Sequence, residues 1–337
     1  HDNFFELGGH SLLALNLMAR IEQQFGKKLP LSTIVDSPTI EKLATLLNQS
    51  TEKMWSSLVA IQPNGTKQPF FCVPGIGGNV TDFYELALKL GNEQPFYGLQ
   101  AVGLDGKSKP YTSIEDMATH YIKEIQTVQQ EGPYRLGGYS FGGLVAFEMS
   151  QQLQKRGHEV ALLAIIEMIA PNLFNKLKKL GWNEAKCLSN LAHLIERRLG
   201  KPVKVSNEML QRLESEGQLN ELLEQFKKAS LLPPDAEVTH IRGLIDVYKA
   251  NCQMDYIPKN IKPTRIVFFQ ASEFIGELMG GHDELVEAEP TWGWSQYAEG
   301  SVNIQVVPGS HFTMMSQPNV QVLAEKLKVC LEQSLMI

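Results

Sequence analysis

Apolar residues follow two different spacings along the chain, and the first of them is helical. In SLLALNLMARIEQQF, residues 11–25, every fourth position is apolar: Leu13, Leu17, Ile21 and Phe25. This spacing puts the four side chains on one face, so it predicts a helix with Ser11 at the N-cap position. A second helical pattern follows the turn residues DSPT, and the aperiodic polar stretch that begins NQSTEK predicts a linker over residues 48–54. Residues 1–47 are therefore predicted to form a small all-helical domain.

The second spacing begins at Trp55, where short apolar runs alternate with helical patterns. The runs are SLVAIQ, PFFCVP, PFYGLQAVG, YRLGGY, ALLAIIE, TRIVFFQA and VNIQVV. Strands that alternate with helices form mostly parallel sheets with helices on both faces. We therefore predict an α/β domain over residues 55–337.

One long stretch interrupts this alternation. Residues 172–250 carry amphipathic helical patterns such as LSNLAHLIERRLG and show no convincing strand pattern. An insertion of this size between strands is typical of a lid, which gates entry to a site and keeps water from the reaction. We predict a helical lid over residues 172–250.

Composition narrows the choice of partner and compartment. The 337 residues suffice for one large and one small domain, and the formal net charge of −6 disfavours binding to nucleic acid or to anionic membranes. The four cysteines are scattered without a CxxC pair, which favours free thiols in the cytoplasm over disulfides or a metal site. No apolar run reaches the length of a membrane span, and a monomer within a longer polypeptide is the expected state.

The pentapeptide GYSFG, residues 138–142, is the strongest candidate for chemistry. It stands between the strand pattern YRLGGY and the helical pattern FGGLVAFEMSQQLQ. In this context GxSxG is a nucleophile elbow, in which a strained turn projects the serine hydroxyl above the edge of the sheet. We predict Ser140 as the nucleophile and the amide of Phe141, at the helix start, as one oxyanion-hole donor. The alternative is a glycine-rich turn with a capping serine.

A nucleophilic serine needs a base, and His311 in PGSHFTMM is the best-placed histidine. It follows the last strand pattern, which matches the chain order serine, acid, histidine. His282, which follows a glycine pair in a loop, is the rival. The other histidines lie in or near helical patterns or in the small domain.

The third catalytic group is a carboxylate that orients the imidazole. Glu167 ends the strand pattern ALLAIIE, directly after the helix that follows Ser140, and sites of α/β proteins form at such strand ends. Asp283 is the competitor, because the acid of such a triad can also follow a later strand, and Glu273 is a weaker one. We favour Glu167.

The second oxyanion donor is expected in the loop after an early strand. PFFCVPGIGGN, residues 69–79, is such a loop, and we nominate the amide of Ile76. A glycine-rich turn without this role is the alternative. A dinucleotide site is disfavoured, since GIGG is not GxGxxG and no acidic strand end follows at the expected spacing.

The two parts of the chain resemble two known domains. DNFFELGGHSL, residues 2–12, resembles the core motif of the peptidyl carrier domains of nonribosomal peptide synthetases. Residues 55–337 resemble the terminal thioesterase domain of such synthetases, an α/β-hydrolase fold with a helical lid. Because His1 already lies inside the carrier motif, we expect the first helix of the carrier bundle to be missing.

The resemblance implies a role for each candidate residue. It implies that Ser11 carries 4′-phosphopantetheine, that Ser140 is the nucleophile and that His311 is the base. It supports Glu167 over Asp283, although the family usually has aspartate there. It also implies three partners: upstream synthetase modules, a phosphopantetheinyl transferase and an acyl or peptidyl substrate.

The resulting functional hypothesis is chain release. An acyl or peptidyl thioester held through Ser11 would be transferred to Ser140 and released by hydrolysis or by macrocyclisation. One alternative is an editing thioesterase or an esterase that acts on small acyl substrates. Another is a carrier and docking module whose hydrolase half is inert.

Overall fold

The N-terminal segment is helical in the computed structural model, which describes residues 1–27, 29–49, 55–178, 183–259, 265–273 and 289–334. Helix α1, Ser11–Phe25, ends at Gly26, whose φ of 66° lies in the left-handed region. Its N-cap is His10, whose Nδ1 accepts a hydrogen bond from Leu13 N–H at 3.5 Å. The expected N-cap at Ser11 is therefore wrong by one residue. Two further helices follow: α2, Thr33–Asp36, and α3, Ile40–Asn48.

A seven-stranded sheet forms the centre of the larger part, and each predicted apolar run overlaps one strand. The strands are β1 Leu58–Gln62, β2 Phe70–Val73, β3 Phe96–Leu99, β4 Tyr134–Tyr139, β5 Val160–Ile166, β6 Ile266–Glu273 and β7 Asn303–Ser310. Their order is β1-β3-β2-β4-β5-β6-β7. β1 runs antiparallel to β3 and the other neighbours are parallel. The predicted α/β fold is confirmed.

Helices cover both faces of this sheet. Successive side chains of a strand point to opposite faces, and here both sets are apolar, so both faces must be buried. On β2, Phe71 and Val73 belong to one hydrophobic cluster, and Phe70 and Cys72 belong to another. The first cluster includes residues of α5, Ile114–Gln126, and α6, Gly142–Lys155. The second includes residues of α4, Tyr84–Leu90, and α12, Asn319–Gln333. The carboxyl ends of the strands are left open for a site.

The chain between β5 and β6 is helical wherever the structure describes it. Its helices are α7 Pro171–Lys178, α8 Glu184–Leu199, α9 Asn207–Leu210, α10 Ser215–Lys228 and α11 Val238–Gln253. Helices α8 to α11 share a hydrophobic cluster that includes Leu188, Leu222 and Ile245. Helix α7 instead packs through Leu173 and Phe174 against the cluster of α5 and α6. Helices α8 to α11 therefore form a separately packed layer rather than an extension of the sheet.

The N-terminal helices pack against both the sheet domain and the helical insertion. Leu12 of α1 lies in the cluster of the insertion, whereas Met18 and Ile21 lie in the cluster that includes α4 and α12. The Phe5 ring stacks on Tyr84, with centroids 4.0 Å apart. These contacts place the first turn of α1 beside the open edge of the sheet. Most of the predicted linker lies outside the described residues.

Candidate active site

The turn after β4 has the backbone geometry of a nucleophile elbow. Ser140 has a φ of 52°, a conformation that is strained for a residue with a side chain. Its N–H donates to Ile166 O at 2.8 Å, which fixes the turn to the end of β5. A Cβ on Gly138 would lie 2.1 Å from Gly142 O, and a Cβ on Gly142 would lie 2.2 Å from Val73 O. The two glycines are required because backbone passes too close for any side chain.

Two backbone amides near this turn are available as donors. Phe141 precedes the first residue of α6, and Ile76 lies in the loop after β2. Within the described residues neither N–H donates to a protein acceptor. On the insertion, Asn251 Nδ2 donates to Ile76 O at 2.7 Å. Helix α11 therefore holds the loop that carries one of the two predicted oxyanion donors.

His311 follows β7 and is held by Tyr139, the residue before Ser140. The two rings stack with centroids 5.2 Å apart, and the Tyr139 hydroxyl donates to His311 O. Desolvation of the ring, with a smaller contribution from the charge of Arg198, lowers the pKa of His311 to about 4. The imidazole is therefore neutral at pH 7, the state that a general base requires.

Glu167 lies at the end of β5 in a second strained turn, with a φ of 55°. Its side chain is 5% exposed, and Ala271 N–H donates to its Oε2 at 2.6 Å. Burial raises the pKa of Glu167 to about 7, and the bond from Ala271 opposes that rise in part. The carboxyl group is thus fixed against β6 by the backbone.

The three predicted catalytic residues follow the ends of β4, β5 and β7, at the same edge of the sheet. Among the described residues no hydrogen bond joins His311 to Ser140 or to Glu167. The rivals His282 and Asp283 lie outside the described residues. Glu273 is exposed at the end of β6.

One cavity of about 180 Å³ lies between this edge, the helical insertion and the start of α1. Its wall includes Ser140 and His311 from the sheet domain, Ile76 from the loop after β2, and Ser11 from α1. Helix α8 adds an apolar side through Leu191, Leu194 and Ile195. The two serines singled out in the sequence, which are 129 positions apart, therefore face one space.

Ser11 is half-buried at the first position of α1, and its Oγ makes no hydrogen bond within the described part of the chain. The adjacent His10 has a lowered pKa because of burial and because of the positive charges of Arg198 and Lys201. A serine hydroxyl without a protein partner, next to cations, is chemically suited to carry a phosphate ester. The residues at this position therefore fit a covalently attached phosphodiester.

Sequence reasoning missed the side chains that join the insertion to the sheet domain. Arg198 of α8 donates twice to Asp82, with Nη1 to Oδ2 at 2.6 Å and Nη2 to Oδ1, and Asn251 binds Ile76 O. Nothing in the local pattern distinguishes Arg198 from Arg197, or Asn251 from a solvated asparagine. These partners are more than 100 positions apart, so only the fold brings them together.

Membrane-spanning helices and metal-binding clusters are both absent from the described residues. None of the described helices has the length and apolar character needed to cross a membrane. No set of three or more His, Cys, Asp or Glu side chains in the described ranges is arranged to hold a metal ion.

Family models match both parts of the chain. Residues 68–329 match the thioesterase domain, and residues 1–47 match the phosphopantetheine attachment site. The second match agrees with the prediction of 4′-phosphopantetheine as the cofactor. Together the two matches confirm the resemblance drawn from the sequence.

Similar proteins with curated descriptions are synthetases. Chondramide synthase of Chondromyces crocatus is 32% identical over 339 residues, which is 97% of this chain and 8% of that protein. The dimodular nonribosomal peptide synthase of Bacillus subtilis is 40% identical over 192 residues, 57% of this chain and 8% of its own length. The chain therefore spans less than a tenth of either relative.

Solved structures show the same fold. A holo four-domain nonribosomal peptide synthetase bound to AMP and glycine is 29% identical, with a TM-score of 0.74 over 98% of this chain and 24% of that one. The Vlm2 thioesterase domain bound with a dodecadepsipeptide is 23% identical, with a TM-score of 0.57 over 81% of this chain and 96% of that one. The similarity to the Vlm2 domain concerns the fold alone.

Proposed function

Because the chain belongs to the thioesterase domain family and carries a phosphopantetheine attachment site, we propose that it is the carrier and chain-releasing end of a nonribosomal peptide synthetase. The carrier occupies residues 1–47, the linker residues 48–54 and the thioesterase residues 55–337, with the lid at 172–250. The reaction transfers an acyl or peptidyl group to Ser140 and then releases it. Upstream modules supply that group, and a phosphopantetheinyl transferase modifies Ser11.

The single observation that carries this proposal is the shared cavity. Ser11 and Ser140 line the same space of about 180 Å³, together with His311 and Ile76. An attachment serine that faces the nucleophile supports transfer within one chain. An esterase of small free substrates would have no use for this juxtaposition. When bound to Ser11, the phosphopantetheine group supplies a terminal thiol that holds the substrate as a thioester.

Acyl transfer begins with the hydroxyl of Ser140. His311 takes the hydroxyl proton as Oγ attacks the thioester carbonyl, and the carbon–oxygen bond forms. The amides of Ile76 and Phe141 donate to the negative oxygen that develops, which is the largest contribution expected from this site. When the carbon–sulfur bond breaks, His311 returns the proton to the departing sulfur, and an ester remains on Ser140.

Release repeats the same proton transfers in a second round. His311 deprotonates either water or a hydroxyl or amine of the substrate, and that nucleophile attacks the ester on Ser140. Water yields a free acid, and an internal nucleophile yields a ring. The apolar side of α8 lowers the water content of the cavity, which favours the ring for substrates that can fold back.

Glu167 is the proposed third residue of the catalytic triad, and it acts through His311. Its ionised carboxylate stabilises the imidazolium that forms during each attack. The bond from Ala271 N–H holds one carboxylate oxygen, so the other oxygen is the one available to the imidazole. The raised pKa of Glu167 means that this support strengthens as the pH rises through about 7.

The proposed chemistry is tested with a fluorophosphonate probe and with a soluble acyl-thioester substrate. We expect the probe to label Ser140 in the folded protein and Ser140→Ala to lose both labelling and turnover. Ser150→Ala is the matched control, because this serine is buried in α6 and should leave both unchanged. Full turnover in Ser140→Ala would contradict the proposal.

The inert-hydrolase alternative rests on one specific observation. Glu167 accepts a hydrogen bond from Ala271 and none from His311 within the described residues. If the catalytic half were inert, the probe would fail to label Ser140 in a protein that still unfolds cooperatively. Labelling with normal burst kinetics would exclude that alternative.

A further inference from the structure

The cavity wall carries one arginine, Arg198 near the end of α8, that the proposed chemistry does not use. Asp82 holds this guanidinium by two hydrogen bonds, and Asp82 also lines the cavity. A guanidinium has five N–H donors, of which this pair uses two. Within the described residues no other acceptor binds Arg198. Three oriented donors therefore remain at a wall that Ser11 shares.

The position of this charge is unfavourable for the catalytic base. Burial is the main cause of the lowered pKa of His311 and of His10. The charge of Arg198 lowers both pKa values further, and Lys201 adds to the effect on His10. Acyl transfer requires His311 to become a cation, so a nearby guanidinium opposes that step. Asp82 fixes the orientation of Arg198 and offsets part of its charge. An anion that enters the cavity with the substrate would offset more.

We propose that Arg198 binds the phosphodiester that is attached to Ser11, and that Asp82 is the positioning residue that aims the guanidinium. This inference rests on the proposed function, since it requires the modification of Ser11. The ligand class is an alkyl phosphodiester monoanion, whose oxygens match the planar fork of a guanidinium better than a point charge. The start of α1, a helix of 15 residues, adds its first N–H groups on the same side.

This contact would join the carrier to the lid. Ser11 begins α1, and Arg198 belongs to α8 of the helical insertion. A phosphodiester bound between them holds α8 against the carrier when the modified serine faces the cavity. Leu12 already packs in the hydrophobic cluster of the insertion, so the charge contact adds to an existing apolar one. Attachment of the group thus favours the closed arrangement of carrier and lid.

The test is phosphorus NMR on the full chain after enzymatic attachment of unloaded phosphopantetheine. In the parent protein we expect a phosphodiester resonance that is broadened and displaced from its position in the same protein unfolded in urea. In Arg198→Gln the resonance should sharpen and return toward the unfolded position. Arg197→Gln is the matched control: it makes the same charge change one residue away, at a position that does not line the cavity.

A second variant separates ligand binding from a purely structural ion pair. Asp82→Asn keeps an amide oxygen that can accept a hydrogen bond from Arg198, but it removes the negative charge that repels an anion. The phosphodiester should therefore bind about tenfold more tightly. The measurable result is a larger gain in Tm from the unmodified to the modified protein, even though the unmodified variant is less stable than the parent. If Arg198 and Asp82 only support the fold, that gain will stay equal or shrink, and the proposal is wrong.

Two results would overturn the inference in distinguishable ways. If intact mass shows phosphopantetheine on Ser11 and the resonance of Arg198→Gln equals that of the parent, only the Arg198 contact is refuted. If Ser11 accepts no group in the folded parent, the carrier assignment fails and the inference fails with it. Thermal unfolding of unmodified Arg198→Gln shows whether the variant is folded when the spectra are compared.

Discussion

The turn at Ser140 and the contacts between the helical insertion and the sheet domain are built in different ways. At the elbow, backbone passes so close to backbone that Gly138 and Gly142 admit no side chain. At the helical insertion, single side chains make the connection: Arg198 to Asp82 and Asn251 to Ile76 O. The first region depends on local geometry that a short motif encodes. The second depends on residues far apart in sequence. Loss of one of its contacts should therefore lower stability or activity by a modest amount instead of abolishing it.

The largest expected effect breaks the elbow itself. In Gly142→Ala the new Cβ would lie 2.2 Å from the backbone oxygen of Val73, which cannot move without shifting β2. We expect a loss of at least about 3 kcal/mol in the free energy of unfolding, and no labelling of Ser140 by a fluorophosphonate.

Gly143→Ala is the control for that change. Its Cβ would lie 3.1 Å from the Cβ of Met168, a tight contact that a shift of a few tenths of an ångström relieves. Alanine also favours a helix over glycine by about 1 kcal/mol. Chemical denaturation should therefore place Gly143→Ala within about 1 kcal/mol of the parent. Equal losses in the two variants would show that the elbow is not the constrained region.

The second effect concerns the buried groups behind the elbow, and it depends on pH. Glu167 has its pKa raised to about 7 in the folded protein, so it destabilises the fold as the pH rises from about 4.5 to 7. His311 has its pKa lowered to about 4, so it stabilises the fold as the pH rises from about 4 to 6.5. The two contributions are opposite in sign and each amounts to about 3 kcal/mol.

Single variants should separate the contributions of Glu167 and His311 to the pH dependence of the free energy of unfolding. In Glu167→Gln the free energy of unfolding should rise with pH between about 4 and 6.5, because only the His311 effect remains. In His311→Asn it should fall between about 4.5 and 7, because only the Glu167 effect remains. Urea denaturation at several pH values measures both slopes. Parallel profiles in the parent and in both variants would contradict the assigned burial of these groups.

The smallest expected effect is at the contact between Asn251 of the helical insertion and the loop at Ile76. Asn251→Ala removes the donor to Ile76 O and frees the loop that carries the proposed oxyanion amide. We expect kcat to fall about tenfold with little change in KM, because the oxyanion forms only after binding. Steady-state kinetics with a soluble acyl thioester measure this split.

Asn175→Ala provides the comparison for Asn251. Asn175 also binds a backbone carbonyl across the insertion, that of Tyr256, but it lies away from the loop at Ile76. This variant should lose stability of similar size, about 1 to 3 kcal/mol, and keep its kcat. If both variants lower kcat equally, the contact of Asn251 acts through stability alone.

The sequence predicts the fold because its signals are local. Each of the seven apolar runs overlaps one strand, and helix α1 spans the residues that its four-residue spacing indicates. The glycines of the turn and Ser140 can be recognised in the sequence because a strained backbone accepts few residue types. The N-cap at His10 was missed because an imidazole acceptor is an unusual cap beside a serine.

The rest of the candidate site depends on tertiary placement. No sequence pattern brings Ser11 into the cavity of Ser140, since that requires α1 to pack between the helical insertion and the sheet domain. Arg198, Asn251 and the anchoring of Glu167 by Ala271 likewise need the fold. The sequence does not show which residue each of these side chains will contact, because the residues around them in sequence resemble those around other arginines and asparagines of the chain.

The most direct test of the central claim is an intact-mass time course on the full chain. Ser11 is loaded with a synthetic acyl-phosphopantetheine by a broad phosphopantetheinyl transferase, and the mass is followed in the parent and in Ser140→Ala. The account predicts that the acyl mass leaves the parent and persists on Ser140→Ala, while Ser11→Ala never acquires it. Loss of the acyl group at equal rates from the parent and from Ser140→Ala would contradict the claim that one serine holds the substrate and the other attacks it.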